Sequence, residues 1–303
     1  MTAHLSAHER TISAPIECRG IGLHSGAPVT LRLLPAAAGT GILFRRIDLD
    51  GFAVEAVGRN VAKVSYATSL MKQGVLISTT EHLLSALIGC EIDNITAELD
   101  NLELPILDGS AQPFVEMIEQ VGVRHQRRKR KYLRILKSVE VRDGDKYIAV
   151  HPHDTYSVSY SINFQHPMIG HSTYEVDLTN GSFMRDIAAA RTFGFFHEAE
   201  MLKNMGLIRG ASPENAVVLS KTDVMNPPLR FPDEFVRHKV LDLIGDLALL
   251  GRRMIGRVVA DRAGHAMHTA LVSKILRDRG VCEEVTVDEL NAELKTEPVP
   301  ALN

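Results

Sequence analysis

Arg124-His125-Gln126-Arg127-Arg128-Lys129-Arg130-Lys131 is the sharpest change of composition in this chain of 303 residues, and similar patterns lie on either side of it. Before it, short alternating apolar runs bounded by glycine and proline predict strands at 11–18, 29–34, 41–46, 52–57, 69–78 and 95–99. Helical spacing predicts helices at 78–89 and 113–121. After it, strands at 132–136, 147–151, 157–164 and 172–177 precede helices around 185–190 and 234–250. Strands followed by two helices, met twice, predict an α+β fold of two similar domains, each a β-sheet packed with two helices. The domains would be 1–123 and 132–303, with 124–131 as a basic linker and residues 1–10 as a frayed tail. Such a run can also serve a nucleic-acid or anionic-lipid patch. A solvated linker is the reading adopted, since linkers are exposed and polar.

The net charge of -3 argues against a general nucleic-acid binder, whose phosphate contacts call for a basic surface. Cys18, Cys90 and Cys282 are odd in number and widely spaced, so a reducing cytoplasm is expected. The first ten residues lack the apolar core of a signal peptide. No apolar run approaches the roughly 20 residues that span a bilayer. A monomer without a transmembrane segment or a nucleic-acid partner is expected.

Working outward into the second half, Glu234-Phe235-Val236-Arg237-His238-Lys239-Val240-Leu241-Asp242-Leu243-Ile244-Gly245-Asp246 reads as a helix, with Pro232 before it and Gly251 after it. His238, Asp242 and Asp246 fall at i, i+4 and i+8, on one face. An imidazole and a carboxylate one turn apart can supply two of the three protein ligands of a catalytic zinc. The alternative is an ordinary surface pair on a solvated stripe. In the first half, Glu81-His82 opens the helix at 78–89. Ser78-x-x-Glu81 matches a capping box, which would give Glu81 a purely structural task, and His82 could be a half-buried histidine bonded to backbone. The metal reading instead makes His82 the third ligand and Glu81 the general base. Neither H-E-x-x-H nor H-x-x-E-H is present.

Three further segments carry chemistry. Arg19-Gly20-Ile21-Gly22-Leu23-His24-Ser25-Gly26 is read as a hairpin loop that can approach a ligand, because Pro28 and the following alternation point to a strand where a nucleotide fold needs a helix. Arg191-Thr192-Phe193-Gly194-Phe195 places a hydroxyl beside aromatics, and an inserted segment follows it at 195–228 with helical and apolar strand patches. Gly264-His265-Ala266-Met267-His268 is read as a loop or strand end.

Together with Gly41-Ile42-Leu43-Phe44-Arg45-Arg46, Ile92-Asp93-Asn94 and Leu104-Pro105-Ile106-Leu107-Asp108-Gly109-Ser110, these motifs resemble the UDP-3-O-acyl-N-acetylglucosamine deacetylases of lipid A biosynthesis, in family order over most of the chain. The resemblance implies a zinc amidase with its site in the cleft between two α+β domains, each bearing a small insertion. It implies His82, His238 and Asp242 as zinc ligands and Glu81 as base. His265 would be the acid, held by Asp246, and Thr192 would help to stabilise the oxyanion. Lys239 would contact polar groups of the substrate, and Phe193 would pack on its sugar or nucleotide. An insertion at about 194–221, with Ile208, Ala211, Ala216 and Val218, would pass the acyl chain. Tyr66, where a smaller apolar residue is usual, and Gln165, in place of an aspartate, depart from the family pattern. Rival readings are a zinc hydrolase for another N-acetylated sugar nucleotide, and a binding protein that uses 127–131 on an anionic partner.

Overall fold

Val29, Leu31 and Leu33 alternate with Thr30 and Arg32, and the three apolar residues are buried on one face of a strand. The computed structural model describes residues 5–62 and 66–296. The first half contributes β1 (His8–Ile12), β2 (Ile16–Ile21), β3 (Pro28–Pro35), β4 (Ile42–Arg46), β5 (Phe52–Glu55), β6 (Leu70–Lys72) and β7 (Val75–Ile77). It continues with α1 (Glu81–Gly89), β8 (Ile95–Leu99), α2 (Gln112–Val121) and β9 (Val123–Lys129). Five of these strands form a sheet in the order β2-β3-β8-β4-β5, parallel only between β4 and β8. A separate hairpin of β6 and β7 is the small insertion of this half.

The second half contributes β10 (Lys131–Ile135), β11 (Val139–Asp143), β12 (Lys146–His151), β13 (Tyr156–Phe164), β14 (Gly170–Asp177) and α3 (Ser182–Asp186). Next come β15 (Phe193–Phe195), α4 (Ala199–Asn204), β16 (Val217–Leu219), α5 (Glu234–Leu247), β17 (Arg253–Asp261), α6 (His265–Arg277), β18 (Cys282–Thr286) and α7 (Val287–Thr296). Strand β17 is the spine of a seven-stranded sheet, antiparallel to β12 and parallel to β10 and β13. Strands β15 and β16 pair in parallel apart from it and frame the second insertion. Among the described residues the fold is mixed α+β, with two main sheets and no closed barrel.

Helices α1 and α5 pack against one another and so bring the two halves together. Gly245 makes the close approach possible. A Cβ there would lie 2.1 Å from the Glu81 carbonyl oxygen and 3.0 Å from its Cα. Leu83, Leu84 and Leu87 of α1 share one buried apolar cluster with Leu241, Leu243 and Ile244 of α5. Among the described residues, no helix is long and apolar enough to cross a membrane.

Several expectations need correction. The basic run is not a solvated linker over its length: β9 pairs with β1, and Arg130 is only 1% exposed. Its guanidinium is held by Asp93 at 2.7 Å and Glu91 at 2.9 Å, so ion pairing outweighs the polarity of the run. Residues 8–10 belong to β1, and Glu9 is buried, so the expected tail is shorter. The strand expected at 11–18 is two strands, parted at residues 13–15, where Pro15 lacks a ladder donor. The short helix near 185–190 lies at Ser182–Asp186, and the second half packs α6 beside α5.

Candidate active site

The polar stripe singled out on α5 is buried. His238 and Asp242 are 2% exposed and Asp246 is fully enclosed, which removes the solvated-stripe alternative. An i, i+4 spacing sets His238 Nε2 at 3.3 Å from Asp242 Oδ1. The other ring nitrogen, Nδ1, bonds the Ala190 carbonyl at 3.1 Å, so the lone pair of Nε2 faces inward. Burial drives the His238 pKa down to about 3 against the pull of Asp242, and the ring is neutral.

Across the helix contact, His82 Nε2 lies 3.7 Å from the same Asp242 oxygen, and its ring meets that of His238 edge-on. Its Nδ1 is buried with no hydrogen-bond partner among the described residues. One ligand atom each from His82, His238 and Asp242 fall within 4.8 Å of one another. Two histidines with unspent nitrogens and one carboxylate are a donor set that fits zinc and leaves one position open.

Glu81 begins α1, but the capping box is not formed. Thr79 turns the chain at a φ of 57°, Thr80 is the N-cap, and no side chain caps the helix. Glu81 Oε2 instead accepts the Thr68 amide at 3.1 Å. Burial raises its pKa to about 7, with His265 and His82 partly opposing. Asp242 shows the opposite balance. Burial would raise it, but His238, Lys239 and His265 outweigh that and hold it well below the usual carboxylate range.

His265 is the first residue of α6, with Gly264 as N-cap, so the expected loop or strand end is corrected to a helix start. Its Nδ1 donates to Asp246 Oδ2 at 2.7 Å, and its Nε2 lies 3.9 Å from Asp242 Oδ2. Burial disfavours the charged ring, yet Asp246 and Asp242 prevail and lift its pKa to about 9. Glu81 and Asp242 come from different halves, and His265 is brought to both by α6 packing on α5.

Thr192, Phe193 and Lys239 line a cavity of about 600 Å³ beside this cluster. Ile208, Ala211, Ala216 and Val218 of the second insertion line it as well, as do Leu23 and His24 from the glycine-rich hairpin loop. Gly109, at a φ of 85°, lets the chain pass Thr192, because a Cβ there would strike the Asn215 carbonyl at 2.1 Å. Lys239 Nζ sits 3.0 Å from Asp242 Oδ2, on the metal-ligand side, and 5.6 Å from the centre of the Phe193 ring. Tyr66 is 51% exposed at the cavity wall, while Val64 and Ser65 lie outside the described residues.

Sequence reasoning missed three participants. Thr68 bonds both Glu81 and Asp246. Glu103 holds the hairpin loop through the amides of His24 and Ser25 and the Thr79 hydroxyl, at 2.7–2.9 Å. His268 bonds Asp246 at 2.8 Å. Only His268 had a signal, its i+3 spacing from His265, which counts once 265–277 is read as helix.

A buried carboxyl raised to about 7, a buried imidazole raised to about 9 and an open metal-type donor set beside an apolar cavity are the parts a hydrolase centre needs. The protein-family model described as LpxC, UDP-3-O-acyl N-acetylglycosamine deacetylase, matches residues 9–277. The chain belongs to that family. It is 52% identical to a UDP-3-O-acyl-N-acetylglucosamine deacetylase of Solibacter usitatus, over 93% of this chain and 96% of that protein. It is 46% identical to the enzyme of that name from Myxococcus xanthus (92% and 90% covered) and 42% identical to that from Cellvibrio japonicus (96% of each).

Proposed function

We propose that this chain hydrolyses the acetamide of UDP-3-O-acyl-N-acetylglucosamine, releasing acetate and the free amine for lipid A biosynthesis. His82, His238 and Asp242 would hold a zinc ion, which when bound polarises the acetamide carbonyl and lowers the pKa of water. Glu81 takes the proton of the attacking water, and a pKa near 7 suits a base at neutral pH. His265 carries a proton at that pH and delivers it to the leaving amine. Asp246 accepts its Nδ1 hydrogen and steadies the imidazolium. Thr192 and His265 donate to the oxygen on which negative charge develops.

Lys239 would reach the polar groups of the substrate, and Phe193 would pack on its sugar or nucleotide. Ile208, Ala211, Ala216 and Val218 would flank the acyl chain. We read the first domain as passing into the second within the 124–131 run, β9 belonging with the first, and the enzyme as a cytoplasmic monomer that binds no nucleic acid. The observation that supports the reading most is the meeting of Glu81, His265 and the buried trio beside an apolar cavity. An acylated substrate explains that cavity better than another N-acetylated sugar nucleotide does.

Acetate release from the acylated sugar nucleotide tests this directly. Activity is expected to vanish on chelation and to return with zinc. Glu81→Ala should lower kcat by about 10²- to 10⁴-fold with zinc retained. A folded, zinc-loaded protein that releases no acetate would sink the substrate assignment.

A further inference from the structure

We propose that His268 is a positioning residue for the acid, holding Asp246 so that one carboxylate oxygen fixes His265 in a single tautomer. This rests on the reading of His265 as the proton donor. His268 follows His265 by three residues on α6, so both rings leave the same face. It is wholly buried, and its Nδ1 lies 2.8 Å from Asp246 Oδ2, the oxygen that takes His265 Nδ1 at 2.7 Å. An ionised carboxylate only accepts, so each ring carries a hydrogen on Nδ1. The two rings stand edge-on, with centroids 5.9 Å apart.

Asp246, His265 and His268 also have the donor types of a metal site. Both Nδ1 atoms are already within hydrogen-bond distance of one oxygen, which leaves no room for a cation between them. The far side of His268 is anchored too. Its Nε2 lies 3.1 Å from the Tyr160 hydroxyl, which donates to the Ala263 carbonyl just before α6 at 2.6 Å. The Tyr160 hydroxyl spends its one hydrogen on Ala263, so it positions the His268 ring by contact, while the hydrogen bonds proper run from His268 and His265 to Asp246. The Thr68 hydroxyl occupies the other oxygen of Asp246.

Its consequence is geometric. With Thr68 on Oδ1 and His265 alone on Oδ2, the carboxylate could still tilt and let the imidazole follow. A second imidazole on Oδ2 holds that oxygen from its other side and removes the remaining freedom. With Nδ1 committed, the proton available for transfer sits on His265 Nε2, the atom that faces the metal-ligand side. His268 lines no part of the substrate cavity, so its loss should act on turnover and not on binding.

Three variants, assayed with zinc content measured for each, separate this from packing. His268→Phe fills the space without a donor, His268→Asn keeps an N–H near the place of Nδ1, and His268→Gln keeps one near the place of Nε2. The expected result is a loss in kcat of about 10- to 100-fold in His268→Phe at unchanged KM and zinc content, with recovery to within about threefold in His268→Asn and none in His268→Gln. An undiminished kcat in His268→Phe overturns the inference, and so does His268→Asn no better than His268→Gln. Should His268→Phe fail to fold, the asparagine and glutamine pair decides by the same comparison. His265→Ala is run alongside. Full activity there refutes the acid assignment itself, whereas a loss there with none in His268→Phe refutes only the role of His268.

Discussion

Glu81 and His265 are pushed in directions that suit opposite tasks. Burial raises the carboxyl to about 7, and Asp246 with Asp242 raises the imidazole to about 9. In the proposed mechanism the active form has Glu81 ionised, so activity should rise as pH climbs through the Glu81 pKa. It also has His265 protonated, so activity falls as pH climbs through the His265 pKa. A divalent cation held by the trio favours the carboxylate and opposes the imidazolium, which moves both limbs to lower pH. The profile of kcat/KM should therefore be bell-shaped, its acid limb at or below about 7 and its basic limb at or below about 9. A rate that stayed flat from pH 5 to 10 would refute the separation of roles. Helical spacing placed His238, Asp242 and Asp246 on one face and adjacency joined Glu81 to His82, but the pairing of the two groups across the halves came from the family resemblance. Thr68 and Glu103 were not legible. Each acts through a contact made by the fold, and neither residue type at its position marks chemistry.

Helices α1 and α5 carry the proposed base and the metal-type donors, and Gly245 sets their distance. Gly245→Ala should gain up to about 1 kcal/mol from helix propensity. Against this, its Cβ would sit 2.1 Å from a carbonyl oxygen that belongs to backbone and cannot swing aside. Overpacking of that kind costs about 1–3 kcal/mol, so the clash wins. The variant should have a lower midpoint in denaturant, and its kcat should fall because Glu81 is displaced with the strand of backbone it belongs to. Stability and kcat both equal to wild type would show that the helices part without consequence. Elements with a clean period, such as β3, β8 and α5, were readable from the sequence. Strand β9 was not, because its charge concealed a backbone ladder to β1. Helix α6 was missed because histidines and small residues at its start mask the apolar stripe of Leu271, Val272 and Ile275.

For the molecule as a whole, the arrangement is a polar, buried side-chain cluster where the two halves meet, with a largely apolar chamber opening beside it. Each buried methylene is worth about 0.8 kcal/mol, so an acyl chain that buries only four of them gains roughly 3 kcal/mol, more than a hundredfold in kcat/KM. UDP-N-acetylglucosamine without the acyl group should be a correspondingly poor substrate when the two are compared at one pH and zinc level. Equal kcat/KM for both would leave the cavity without its assigned occupant. The joint between the halves also limits how such a chain can drift over generations. Where Gly245 meets Glu81, main chain is struck, and every amino acid at position 81 presents the same carbonyl. No second-site exchange at 81 can rescue a lineage that loses this glycine. A suppressor elsewhere would have to move one helix against the other, and so move the base away from the ligands. Reversion is the remaining path, which leaves position 245 without a substitute despite its lack of any side chain.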